Sequence, residues 1–160
     1  MVLIKKYGIA IVVTFGVCMF IKPALCFLIL GTLTSYISFT TIIFLRKISK
    51  TGIDWTGTII EYKSDSDGHK TPHIEFTTMT GDIIRGKPIV YASTDISKIR
   101  TYGNLINQTV PILYDPDKPK KFVLKNEKGF NYFVFIIFLL AGLFSVGLSI
   151  SWLFGYLKMG

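Results

Sequence analysis

The sequence predicts an integral membrane protein that carries a small, mainly antiparallel β domain between its membrane spans. Two observations lead to this prediction. Apolar residues are concentrated toward both ends of the chain, and in short segments of the polar middle apolar residues alternate with polar ones. Half of the 160 residues are hydrophobic, and their uneven distribution is typical of a membrane protein. The predicted organisation is a transmembrane helical hairpin at 1–50, a soluble β domain at 51–125 and a C-terminal transmembrane helix at 126–160.

Three runs without a charged residue form the predicted spans. They cover 15 residues at 7–21, 22 residues at 24–45 and 23 residues at 132–154. A helix rises about 1.5 Å per residue, so the last run covers about 35 Å and exceeds the ~30 Å hydrocarbon core. With flanking residues included, the expected spans are about 4–21, 24–45 and 130–154.

The first run is short, and three interpretations stay open. Lys5 and Lys6 before an apolar stretch resemble a signal peptide, but the segment IKPALC has no convincing small-x-small cleavage site. A run of 15 residues is also compatible with a re-entrant or interfacial segment. We favour one arm of a helical hairpin that turns at Lys22 and Pro23, because the lysine stems can extend the helix by snorkelling.

Basic residues cluster beside the apolar runs. Residues 51–125 hold ten Lys/Arg and nine Asp/Glu, a balance of +1, whereas the remaining residues hold eight and one, a balance of +7. This distribution argues against nucleic acid as a partner. Positive residues that flank spans stay on the cytoplasmic side. We therefore expect three spans in a plasma or bacterial inner membrane, with the β domain cytoplasmic and the carboxyl terminus outside.

The polar middle predicts about five short strands and one short helix, arranged as a small barrel or a two-layer sheet. Alternating apolar residues mark the strands, and glycine-containing turns separate them. The first three strands are expected to form a meander. Pro111 cannot donate to a ladder, so its strand is expected to have a free or bulged edge there. The predicted strands are 55–63, 72–79, 83–91, 109–115 and 120–125, and the predicted helix is 93–103.

The segment ILYDPDKPKKFVL, residues 112–124, raises the question of a metal or proton-transfer site. Aspartate followed by proline is what a type I turn selects, because proline pre-sets φ and the aspartate side chain accepts a nearby amide. Calcium needs six or more oxygen ligands, and this loop offers two carboxylates, from Asp115 and Asp117. The acidic pair is therefore predicted to form a hairpin turn.

A second candidate site lies in the segment DSDGHKTPH. Asp65, Asp67, His69 and His73 belong to residue types that bind zinc, and they would serve a membrane-bound hydrolase. However, the spacing does not fix the distance between the two histidines, and no catalytic motif accompanies them. We favour a solvated hairpin tip. Together with Ser66, these four residues form a possible partner-binding loop.

Small residues recur at four-residue spacing in the last predicted span, which allows helix backbones to approach closely. Gly31 and Ser35 offer a similar notch in the second span. Packing within one chain is the favoured interpretation, oligomerisation is the alternative, and the oligomeric state stays open. The small residues of the last span are Ala141, Ser145 and Ser149 on one stripe and Gly147 and Ser151 on a neighbouring stripe.

Three motifs follow one another in the middle of the chain: GTIIEY, PHIEFTTMTGD and VPILYDPDKPKKFVL. Their order resembles that of a known family, the membrane-anchored domain of unknown function 3592. The closing Tyr-Asp-Pro-x-x-Pro segment is the most specific part of the likeness. The resemblance implies a membrane-tethered β domain with no assigned reaction. The matching positions are Gly57, Ile59, Pro72, Ile74, Phe76, Gly81, Ile112, Tyr114, Asp115, Pro116 and Pro119.

These observations predict a membrane-tethered protein-binding domain without catalytic machinery and without a cofactor. The expected partners are the lipid bilayer and a protein, either a toxin or a membrane complex. An immunity protein that neutralises a membrane-directed toxin is one concrete version. The alternatives are a structural accessory subunit of a membrane complex and, less favoured, a metal-dependent hydrolase. The expected contact surfaces are an exposed edge near Pro111 and the hairpin tip that contains His69.

Overall fold

The structure is a computed structural model that describes residues 2–64, 68–91 and 105–156. The predicted helix at 93–103 lies outside these residues. The chain divides into two compact units, one formed by Met1–Ile43 with Phe133–Gly160 and the other by Phe44–Tyr132. The described helices are α1 (Val2–Ile21), α2 (Pro23–Thr51) and α3 (Lys128–Leu153). The strands are β1 (Ile53–Ser64), β2 (Lys70–Thr77), β3 (Ile83–Gly86), β4 (Thr109–Asp115) and β5 (Lys118–Leu124).

Two of the helices, α2 and α3, are long and apolar enough to cross a membrane. Their most apolar 18-residue windows have mean hydropathies of 1.8 and 2.6. Only 17% and 11% of those windows are buried inside the protein, whereas a core helix of a soluble protein would be mostly buried. The apolar part of α1, Gly8–Phe20, is shorter. Two helices therefore fit a membrane association by length and composition.

The contact between α2 and α3 depends on small residues. A Cβ atom added to Gly142 would lie 2.5 Å from Ser35 Oγ and 2.9 Å from the Gly31 carbonyl oxygen. Ser145 Oγ donates a hydrogen bond to the Phe27 carbonyl at 3.1 Å across the same contact. Close backbone approach of this kind is possible only where side chains are absent or very small.

The predicted small-residue stripes of α3 have different surroundings. Ser145 lies in the contact with α2, and Ser149 is buried and donates to the Ser145 carbonyl at 2.7 Å. Ala141 and Gly147 are exposed, and Ser151 is half-buried. The stripe that contains Ser145 and Ser149 therefore lies nearer to the packed face.

The five strands form one antiparallel sheet in the order β3-β2-β1-β4-β5. The predicted antiparallel sheet and the meander of the first three strands are confirmed. The sheet curls into a half-barrel, and a register shift between Ile59 and Glu61 adds a bulge that increases the local bend of β1. The third strand ends at Gly86 instead of residue 91, because Pro88 has no amide hydrogen for a ladder.

The core lies on one face of the curled sheet. Side chains two residues apart point to the same face of a strand, which brings Ile74 and Phe76 of β2 together with Ile112 and Tyr114 of β4. The Phe76 ring lies 5.4 Å from the Tyr114 ring and 5.3 Å from the Phe122 ring, measured between centroids. Phe76 therefore joins three strands in one aromatic cluster.

The opposite face of β4 and β5 is buried as well. Leu113 and Val123 are register partners on this face, and both are buried. In the same compact unit, Leu45 and Ile48 on the last turns of α2 are also fully buried. The end of α2 thus belongs to the folded β unit rather than only to the apolar helix.

The expectation of an exposed edge near Pro111 is wrong for the strand as a whole. β4 lies between β1 and β5, so the edge strands of the sheet are β3 and β5. The ladder with β5 ends at the pair Ile112 and Leu124, and the next amide, that of Lys125, donates to the Pro111 carbonyl at 3.0 Å. Pro111 is tolerated there because it lies at the end of that ladder.

Replacing Gly142 with alanine is expected to separate α2 from α3, because the added methyl group would meet backbone atoms of Gly31 and Ser35. Overpacking of this kind costs roughly 1–3 kcal/mol. Gly147→Ala is the matched control, since a Cβ there has no atom within 4 Å. In detergent, the thermal midpoint of the first variant should fall by several degrees while that of the control stays or rises slightly. Equal midpoints would contradict the close contact.

Candidate functional site

A buried carboxylate joins the end of α2 to the turn between β4 and β5. Lys47 Nζ lies 3.0 Å from Asp115 Oδ2 and 3.5 Å from Asp117 Oδ2. The other oxygen, Asp115 Oδ1, accepts a hydrogen bond from the Asp117 amide at 3.1 Å. These contacts confirm the predicted turn and add a lysine that the turn alone does not imply.

The charge state of Asp115 follows from these contacts. Asp115 is only 4% exposed, yet the Lys47 ammonium and the Asp117 amide stabilise the ionised form of its carboxyl group. The hydrogen bond from Lys47 lowers the pKa of the Asp115 carboxyl below its ordinary value and outweighs the opposing effect of burial. The acidic pair therefore holds the helix end.

A second turn is fixed beside the first. The Tyr114 hydroxyl accepts a hydrogen bond from the Met79 amide at 3.3 Å, which ties the turn between β2 and β3 to the end of β4. Within that turn, Thr78 Oγ1 accepts from the Asp82 amide at 3.1 Å, and Gly81 adopts a φ of 88°. Glycine suits this left-handed conformation because it has no Cβ atom.

An open groove, which we call the edge groove, separates the first halves of the two edge strands. Its volume is about 610 Å³, and three of its lining side chains are lysines. At its inner end, the segment that follows β3 meets β5, where the Ile89 amide donates to the Phe122 carbonyl at 3.0 Å. The lining residues are Asp82, Ile83 and Ile84 on one side and Lys118, Pro119, Lys120 and Lys121 on the other.

The predicted partner-binding loop is described only in part. Asp65, Ser66 and Asp67 lie outside the described residues. His73 Nδ1 lies 3.9 Å from Glu61 Oε1, which also pairs with Lys63 Nζ at 2.9 Å, and His69 is half-buried. Among the residues that the structure describes, no three His, Cys, Asp or Glu side chains gather where they could hold a metal ion. The solvated hairpin tip therefore stays the prediction, and the four-residue zinc site stays its less favoured alternative.

The residues that match the family motifs have different roles in the fold. Phe76 lies in the core and Pro72 is buried. In the closing motif, Tyr114 also lies in the core, and Asp115 is the carboxylate that contacts Lys47. Pro116 forms the exposed turn, and Pro119 lines the edge groove. The motif thus unites core, helix attachment and groove within a few residues.

Sequence reasoning missed Lys47 and the edge groove. Lys47 and Asp115 are 68 residues apart, so no local pattern connects them. One signal could have suggested this ion pair. Asp115 directly follows an apolar strand, and the chain has several lysines beside its apolar runs. The groove depends on which strands lie at the edges of the sheet, and the local alternation of apolar and polar residues does not determine strand order.

Comparison with known proteins gives no relative for this chain: no family model, no curated protein and no solved structure matches it. The resemblance to the domain of unknown function 3592 therefore stays a prediction.

Asp115→Asn should destabilise the β unit at neutral pH by about 1–2 kcal/mol, because a charge-assisted hydrogen bond to Lys47 is lost. Since the folded pKa of Asp115 is depressed, its stabilising effect is present above the ordinary carboxyl range and disappears as pH falls below about 4. As the pH falls through this range, the stability of the variant should therefore decrease less steeply than that of the wild type. Thermal unfolding followed by Trp55 fluorescence, with Trp152→Phe in every chain, measures this.

Glu127→Gln is the control with the opposite sign. Burial raises the pKa of Glu127, so the folded protein favours the protonated carboxyl. Ionisation of Glu127 therefore lowers the stability of the folded protein as pH rises. Replacement by glutamine should leave stability at pH 4 nearly unchanged and raise it at pH 7. If Asp115→Asn were to follow the same pattern as Glu127→Gln, the described junction would be wrong.

Proposed function

We propose that this protein is a membrane-tethered protein-binding domain without catalytic machinery. The observation that supports the proposal best is the open side of the half-barrel: among the strands that the structure describes, β3 and β5 each have one neighbour in the sheet. Free strand edges pair readily with an extended segment of another chain. The edge groove lies between them and carries three lysines.

The proposed membrane arrangement has three spans, with the β domain on the cytoplasmic face of a plasma or bacterial inner membrane. α2 and α3 supply two apolar helices of sufficient length, and α1 precedes them as a third helix. Arg46, Lys47 and Lys50 close α2, and Lys125 and Lys128 open α3. Basic residues at both junctions favour the cytoplasmic side.

Sidedness can be tested with a single cysteine. Cys18 and Cys26 are replaced by alanine, and Ser64, exposed at the end of β1, becomes cysteine. A membrane-impermeant maleimide should label this position only after the cells are lysed. A cysteine at Tyr156, beyond the end of α3, is the control and should be labelled in intact cells. Labelling of Ser64→Cys in intact cells would place the β domain outside.

The nature of the partner belongs to the same proposal. An immunity protein that neutralises a membrane-directed toxin would be held in the membrane and would present a binding surface close to it. A structural accessory subunit of a membrane complex would use the same surface and differs in the permanence of the contact. The resemblance to the domain of unknown function 3592 agrees with either, because it implies a tethered β domain.

Protein binding at the open side can be tested with a photo-reactive amino acid. Placed at Ile83, which is exposed at the start of β3, it should form a cross-link to one stoichiometric protein in intact cells. The same amino acid at Ser64 is the matched control, since this residue lies outside the groove lining. Absence of any defined product at Ile83, or equal products at both positions, would count against the proposal.

A further inference from the structure

One backbone carbonyl on the outer edge of β5 already accepts a hydrogen bond. The Phe122 carbonyl faces away from β4 and accepts a hydrogen bond from the Ile89 amide at 3.0 Å. Backbone groups of alternate residues along a regular strand point to the same side. The register between β4 and β5 shifts between Tyr114 and Asp115, so this alternation ends near Phe122, whose carbonyl marks the outer edge of β5 beside the edge groove.

The two edge strands approach each other at one end of the groove. There, a Cβ atom on Gly86 would lie 3.7 Å from the Phe122 ring. From there the groove extends to the starts of β3 and β5, where Ile83, Ile84 and Pro119 supply apolar surface. An extended segment on this surface would lie along β5 and would meet Ile89 at its end.

The charge around the groove selects an acidic occupant. Lys118, Lys120 and Lys121 line it against one carboxylate, that of Asp82. In the part of the chain that the structure describes, none of these three lysines forms an ion pair, whereas Lys47 is held by Asp115 and Asp117. Lysines that form no direct ion pair within the protein favour a negatively charged partner.

We propose that the edge groove binds an acidic, extended segment of a partner protein. Its backbone hydrogen-bonds to the outer edge of β5, and its carboxylates contact Lys118 and Lys121. This inference rests on the proposed function and names the chemistry of the partner at that same surface. Backbone pairing supplies affinity, and alternate side chains supply specificity, as in other cases of strand addition.

A synthetic peptide provides the direct test. Full-length protein in nanodiscs of phosphatidylcholine is titrated with a fluorescein-labelled peptide of four Glu-Val repeats, and anisotropy is measured. Binding should weaken at least about tenfold for a Lys-Val peptide, because the charge complementarity is reversed. It should weaken about as much when alternate backbone nitrogens are methylated, since these lose the hydrogens that a strand donates.

Two double variants locate the binding surface. Lys118→Glu with Lys120→Glu should weaken binding of the Glu-Val peptide at least about tenfold. Lys63→Glu with Lys70→Glu changes the charge equally at the other end of the sheet and should leave binding within about twofold. Equal affinity for the two peptides, or equal effects of the two double variants, would overturn the proposal.

The lipid surface is the competing source of negative charge. In nanodiscs of phosphatidylglycerol, the lipid headgroups rather than a peptide would contact Lys118, Lys120 and Lys121. If phosphatidylglycerol protects Lys118 and Lys120 of the wild-type protein from amine-reactive reagents, and the groove variant leaves peptide binding unchanged, the groove binds lipid and the proposal is wrong. If the same variant still cross-links its cellular partner through Ile83, protein binding survives while the acidic-segment inference fails.

Discussion

The contact between Lys47 and Asp115 is the constraint on which the β unit depends. A buried carboxylate is costly unless an opposite charge and hydrogen bonds compensate for lost water. Here the lysine comes from the last turns of α2, and the second oxygen is occupied by the Asp117 amide. The stable position of the turn is therefore the one beside the helix end.

This constraint determines which surfaces stay open. The helix end attaches to the turn between β4 and β5, and Tyr114, the neighbour of Asp115, holds the turn between β2 and β3 through the Met79 amide. Both turns are thereby fixed at the end of the sheet where the edge groove begins. A groove with rigid walls loses less conformational entropy when it binds a segment, which favours recognition.

Local patterns were sufficient for the elements and insufficient for their arrangement. Alternation around Ile74 and Ile112 reports strands correctly, because period two is set by the backbone itself. Pro111 reports a missing donor but cannot say that the end of the ladder, rather than a sheet edge, accommodates it. Likewise, the sequence around Asp115 indicates a turn, while its partner lies 68 residues away and depends on the tertiary structure. Gly142 was overlooked because its role is to leave space, which allows Gly31 and Ser35 of α2 to lie close to the backbone of α3.

The most direct test of this account is a double-mutant cycle between Lys47 and Asp115. Thermal stability is measured for the wild type, Lys47→Met, Asp115→Asn and the double variant in the same detergent. Removal of one partner leaves the other uncompensated, so each single change should destabilise the protein, and the double variant should lose clearly less than the sum of both. Losses that add fully would show that the two side chains act independently and that another contact holds the helix end to the sheet.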